Sequence, residues 1–90
     1  MMKLKGHKHA NCYVYTDGDT IFFVSYHTTA AVLDGDWLSI HCLCSATTRK
    51  QVSWFLREYC PTVTYQTART IFDDDLKVNV RTGEVESILL

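Results

Sequence analysis

Ninety residues with a formal net charge of −1 make one domain. The balance lacks the basic excess by which a dedicated nucleic-acid module declares itself. The longest apolar runs, such as Ile21 to Val24, fall far short of the roughly 18 residues a membrane span needs. At 47% hydrophobic and 21% charged residues, the chain belongs with folded rather than disordered proteins. It can bury only about 60–65% of the surface its unfolded form exposes, so a deep enzyme cleft is hard to fit. Such a domain is expected to act through its surface.

Residues 1–9 read as a basic arm, with Lys3, Lys5 and Lys8 among Leu4, His7 and His9. They lack the apolar stretch of a signal peptide, which points to a cytoplasmic chain. A single domain is expected over 10–90. Asn11 to Thr16 alternates as a strand, with Cys12, Val14 and Thr16 on one face and Tyr13 and Tyr15 on the other. Asp17-Gly18 is a hairpin turn signal, because Gly accepts positive φ. Thr20 to Tyr26 is β-branched and aromatic and reads as a buried central strand. His27-Thr28-Thr29 breaks that run, and Ala30 to Leu33 follows as a short strand ended by Asp34-Gly35-Asp36. Trp37 to Cys44 is the next. Trp37, Ser39, His41 and Leu43 share one face, and Leu38, Ile40, Cys42 and Cys44 the other, which is the expected core side. Short turns between four strands favour an antiparallel meander.

The period then changes. Thr48 to Gln51 has the spacing of a capping box, and Val52, Phe55, Leu56 and Tyr59 form one helical stripe up to Pro61. A helix is predicted over 48–59. Within 62–75, Tyr65, Ala68, Ile71 and Phe72 predict a second short helix. Leu76 to Arg81 and Glu84 to Leu89 read as a C-terminal hairpin about Thr82-Gly83, with Val80 opposite Val85 and Arg81 opposite Glu84. The expected fold is α+β: an antiparallel sheet, meander plus C-terminal hairpin, packed on one main helix and a short second one.

No constellation for catalysis emerges, and neither a cofactor nor a metal is expected. Structural zinc sites present two pairs of Cys or His; Cys42 and Cys44 form one pair, and no second Cys pair exists. His41 and Cys42 are neighbours, which on a strand puts them on opposite faces. Asp17, Asp19, Asp34 and Asp36 are turn residues. With no signal peptide, Cys12, Cys42, Cys44 and Cys60 read as reduced, buried thiols.

The helix carries one anomaly. Trp54 lies off the apolar stripe, on the side of Lys50, Arg57 and Glu58. An aromatic flanked by basic residues suits a protein hot spot or a nucleic-acid contact; packing against the domain itself is the competing reading. Candidate partner-binding residues are Trp54, Arg49, Lys50 and Arg57, with the acidic run Asp73, Asp74 and Asp75.

Two stretches carry a resemblance: Ser25-Tyr26-His27-Thr28-Thr29, and Ser45-Ala46-Thr47-Thr48-Arg49-Lys50-Gln51-Val52-Ser53-Trp54-Phe55-Leu56-Arg57-Glu58-Tyr59. Over residues 13–72 the order of motifs resembles a family of short proteins encoded by phages, plasmids and other mobile elements of bacteria. Its pattern runs Ser-Tyr-x-Thr, a Gly turn, then Thr-Thr-x-Lys-His-x-x-x-Phe-Leu. Gln51 stands where that pattern has His. The resemblance implies a small phage or mobile-element protein in a bacterial host, and brings no catalytic residue or cofactor. The expectation is a non-enzymatic protein that docks on a host or element-encoded protein, in the manner of an anti-CRISPR inhibitor of bacterial defence. Nucleic-acid binding by a Lys/Arg/Trp helix face stays open as an alternative, as does pairing with a second copy through an exposed strand edge; a membrane partner is not expected.

Overall fold

The computed structural model describes residues 12–43 and 45–88. The expected basic arm and Cys44 lie outside the described residues. The described residues form six strands and two helices: β1 Cys12–Asp17, β2 Thr20–Ser25, β3 Thr28–Asp34, β4 Trp37–Ile40, α1 Ala46–Tyr59, α2 Tyr65–Asp73, β5 Leu76–Asn79 and β6 Val85–Ser87. Strand order in the sheet equals order in the chain, and each strand is antiparallel to the next. The fold is the expected α+β arrangement, with both helices inserted between β4 and β5.

Tight turns drive the meander. Gly18 and Gly35 both have φ of 61°, and each closes a two-residue loop between paired Asp17 and Thr20 and between paired Asp34 and Trp37. Positive φ is what such loops demand and what Gly supplies without steric cost. The β2–β3 loop is also two residues long, but it has no Gly and both its central residues take positive φ. Tyr26 and His27 hold φ of 50° and 73° between paired Ser25 and Thr28, a conformation that costs a non-Gly residue of order 1 kcal/mol or more. The break therefore falls at Tyr26-His27, and Thr28 and Thr29 belong to β3. A bulge between Phe23 and Val24 shifts the register and buries Ala30 and Ala31 side by side. The freed Ala30 carbonyl accepts from His41 N and Cys42 N, at 2.7 and 3.3 Å.

Both helices cover one face. Helix α1 lies over β2 and β3, and α2 over β4 and β5. Cys12, Val14, Phe23, Ala31, Leu33, Leu38, Ile40 and Val78 meet Val52, Phe55, Leu56, Ala68 and Ile71 in one core. Phe23 stacks on Phe55, with ring centroids 5.1 Å apart. Leu43 is buried as well, against the alternation expected for β4, because the strand ends at Ile40 and the chain turns toward α1.

Two local expectations are corrected. The N-cap of α1 is Ser45, whose hydroxyl accepts from Thr48 N at 3.1 Å. Gln51 takes no part in a capping box; its side chain is buried and Oε1 accepts from Ser25 Oγ at 2.5 Å. The C-terminal hairpin pairs Val78 with Val85, two positions away from the expected register. Asn79 Oδ1 accepts from Arg81 N and Thr82 N, and this side-chain turn lengthens the loop. Arg81 faces Asp36 at 3.1 Å instead of Glu84. A shift of two leaves every side chain on its expected face.

Candidate surface for partner binding

The helix-free face of the sheet follows from strand alternation. Tyr13, Tyr15 and Asp17 of β1 stand beside Val24, Phe22 and Thr20 of β2; Val32, Ser39, Lys77 and Glu86 continue the row across β3, β4, β5 and β6. Tyr15 stacks on Phe22 at 4.8 Å between centroids, and Tyr13 lies 6.4 Å from Tyr15. Trp37 is half-buried beneath Lys77 Nζ, 5.2 Å above its ring. Ser39 Oγ and His41 Nε2 hydrogen-bond at 2.8 Å. Phe22, Val32 and Trp37 are half-buried and Tyr15 is 36% exposed. The face is thus a mixed one, partly covered aromatics standing among polar and charged side chains.

Charge on this face is acidic. Asp17, Asp34 and Glu86 stand against Lys77. Thr20 Oγ1 donates to Asp34 Oδ1 at 3.0 Å, and Lys77 lies 3.8 Å from Glu86. A nucleic-acid platform pairs its stacking aromatics with a positive groove, and the described residues of this face do not supply one.

The sequence-predicted residues fall in three places. Lys50, Trp54 and Arg57 share one side of α1, with Lys50 Nζ 5.5 Å from the Trp54 ring centroid. Trp54 is half-buried against the margin of the core, whereas Lys50 and Arg57 are exposed. Arg49 points elsewhere: its Nη1 donates to the Leu43 carbonyl at 3.3 Å, and it lines a small pocket with Asp73. Asp73 closes α2 and lies 3.8 Å from Arg69. Asp74 caps that helix, and Asp75 turns into β5 with φ of 54°. The acidic run thus works locally as a helix stop, and only Asp73 joins a basic candidate. Sequence reasoning placed Tyr13, Tyr15, Trp37, Ser39 and His41 on shared faces but did not single them out. The available signal was the pair of short helices, too few to cover both sides of a six-stranded sheet.

The thiols offer little chemistry. Cys12, Cys42 and Cys60 are buried, and burial pushes the Cys60 thiol up to about 12, away from the reactive thiolate. Among the described residues no three His, Cys, Asp or Glu side chains converge as a metal site would require, and no helix is long and apolar enough to cross a membrane. A comparison of the chain with protein-family models, curated proteins and solved structures finds no match.

Proposed function

We propose that this chain is a non-enzymatic docking protein that binds another protein through its helix-free sheet face. The observation that carries the reading is the aromatic content of that face: Tyr15 stacked on half-buried Phe22, and on β4 the half-buried Trp37 under Lys77. Rigid aromatics are the side chains that most often dominate binding energy. The acidic balance of the face favours a partner surface that is apolar and basic, and disfavours phosphate backbones. The phage or mobile-element resemblance supplies the setting: a host or element-encoded partner in the bacterial cytoplasm, with inhibition of a defence component as the role such docking would serve. The test is affinity capture from nuclease-treated bacterial lysate, using the native chain and a Tyr15→Ser/Trp37→Ser variant with matched thermal stability. The expected result is a discrete protein held by the native chain and lost by the variant. Equal capture by both chains, or capture that needs intact nucleic acid, overturns the reading.

A further inference from the structure

We propose that the pocket between the first turn of α1 and the flank of α2 binds a small oxyanion, the carboxylate or phosphoryl group of a ligand, between Arg49 and Arg69. The cavity holds about 60 Å³ and is lined by Leu43, Arg49, Tyr65, Arg69, Phe72 and Asp73. At about 10–15 Å³ of such space per water that holds a few waters, enough for a single oxyanion and too little for a nucleoside or a folded segment. The site goes beyond the docking surface, because both helices lie on the opposite side of the sheet.

The α2 residues reach the pocket by helical spacing. Tyr65, Arg69, Phe72 and Asp73 stand at i, i+4, i+7 and i+8, one face of the helix. Arg49 arrives from α1, held by its bond to the Leu43 carbonyl. Five N–H donors in a planar fork leave most of the Arg49 guanidinium available beyond that bond. Arginine stays charged in any protein environment, so two guanidinium groups face one carboxylate. Asp73 does not cancel them. Its contact with Arg69 spans 3.8 Å, and the side chains are 64% and 57% exposed, the geometry of a weak, water-screened pair.

Tyr65 lines the same pocket. The Tyr65 hydroxyl is buried and has no hydrogen-bond partner. Buried polar groups nearly always have one, so this hydroxyl is a local cost to the fold. Neither helix carries an acidic residue in its first turn, so the partial positive charge at the start of α1, beside Arg49, is uncompensated. A planar fork and a second guanidinium suit an acceptor with two or more oxygens.

The test is a nuclear magnetic resonance titration of the whole chain with inorganic phosphate, and separately with acetate, each against sodium chloride at equal ionic strength. Saturable shifts of the Arg49 and Arg69 Nε–H and Tyr65 ring signals are expected. Response to phosphate alone assigns a phosphoryl ligand, and response to acetate as well assigns a carboxylate. Arg69→Gln, at an exposed position, weakens binding roughly ten-fold or more by loss of a charge-assisted bond. Asp73→Asn tightens it, an effect that a merely structural ion pair would not produce. Tyr65→Phe raises the thermal midpoint in chloride by removing a stranded hydroxyl and leaves the further gain from the anion in place. The proposal is overturned if shifts match the chloride control, or if Arg69→Gln and Asp73→Asn both bind as the native chain does.

Discussion

On the helix-covered face Phe23 is fully buried and stacks on Phe55 at 5.1 Å. One residue earlier on the same strand, Phe22 points the other way, half-exposed, and stacks on Tyr15 at 4.8 Å. The two rings have the same chemistry and the same neighbouring backbone. What separates them is whether a helix stands above. Burial under a helix turns an aromatic into folding free energy, whereas the helix-free ring retains apolar area that another surface can still remove from water. The largest expected effect tests this split. Phe23→Ala should cost about 3–5 kcal/mol, the range for emptying a packed aromatic site. Phe22→Ala should cost about 1–2 kcal/mol, a lost stack plus partial burial. Urea unfolding of both variants reads the difference. Equal costs would mean that the two faces are closed to the same degree.

The next effect lies within the covered side, where it turns polar. Ser25 and Gln51 are 2% and 1% exposed. Ser25 Oγ donates to Gln51 Oε1, and Thr48 Oγ1 lies 3.4 Å from Ser25 Oγ and accepts from Ser45 Oγ at 3.0 Å. The network ties the end of β2 to the first turns of α1 and fixes the helix over its strands. Ser25→Ala leaves the Gln51 amide oxygen buried without its donor, a loss of about 1–3 kcal/mol. Removing both partners together, Ser25→Ala with Gln51→Met, should cost less than the sum of the single changes, since no polar atom is then stranded. Strictly additive losses in a thermal double-mutant cycle would show that the two side chains act separately.

Strands, turns and the main helix were legible because their causes are local. Alternation assigned Tyr13 and Tyr15 to one face and Cys12 and Val14 to the other, and two Asp-Gly pairs located two of the turns. The Ser25–Gln51 bond joins residues 26 positions apart and leaves no local trace; Gln51 therefore read as a cap, at a spacing where Ser45 does that work. The C-terminal register was misread because Asn79 builds a side-chain turn and Asp36, far away in sequence, claims Arg81. The candidate surface was half-legible. Alternation collects its residues, but which face stays open depends on α1 and α2 both settling on the same side, and that is decided by tertiary packing.

The smallest expected effect concerns a thiol on the covered side. Cys60 follows α1, its sulfur is buried with the core, and burial raises its pKa from 9.0 to about 12. A raised pKa means that the folded chain keeps the proton longer than the unfolded chain does. The contribution is fully present below pH 9, fades as pH rises through the interval to about 12, and is gone above it. Tyr59 beside it shifts in the same direction, through its own burial and the neighbouring Glu58 charge, so the two steepen the same alkaline decline. Cys60→Ala should flatten that decline between these limits while lowering stability modestly at pH 7 through the lost sulfur. The native thiol should also react with iodoacetamide at pH 8 far more slowly than the thiol of the urea-unfolded chain, because thiolate is both scarce and screened from solvent. Rapid labelling of Cys60 in the folded chain would place it outside the closed half of the molecule and move the boundary between the two faces to the end of α1.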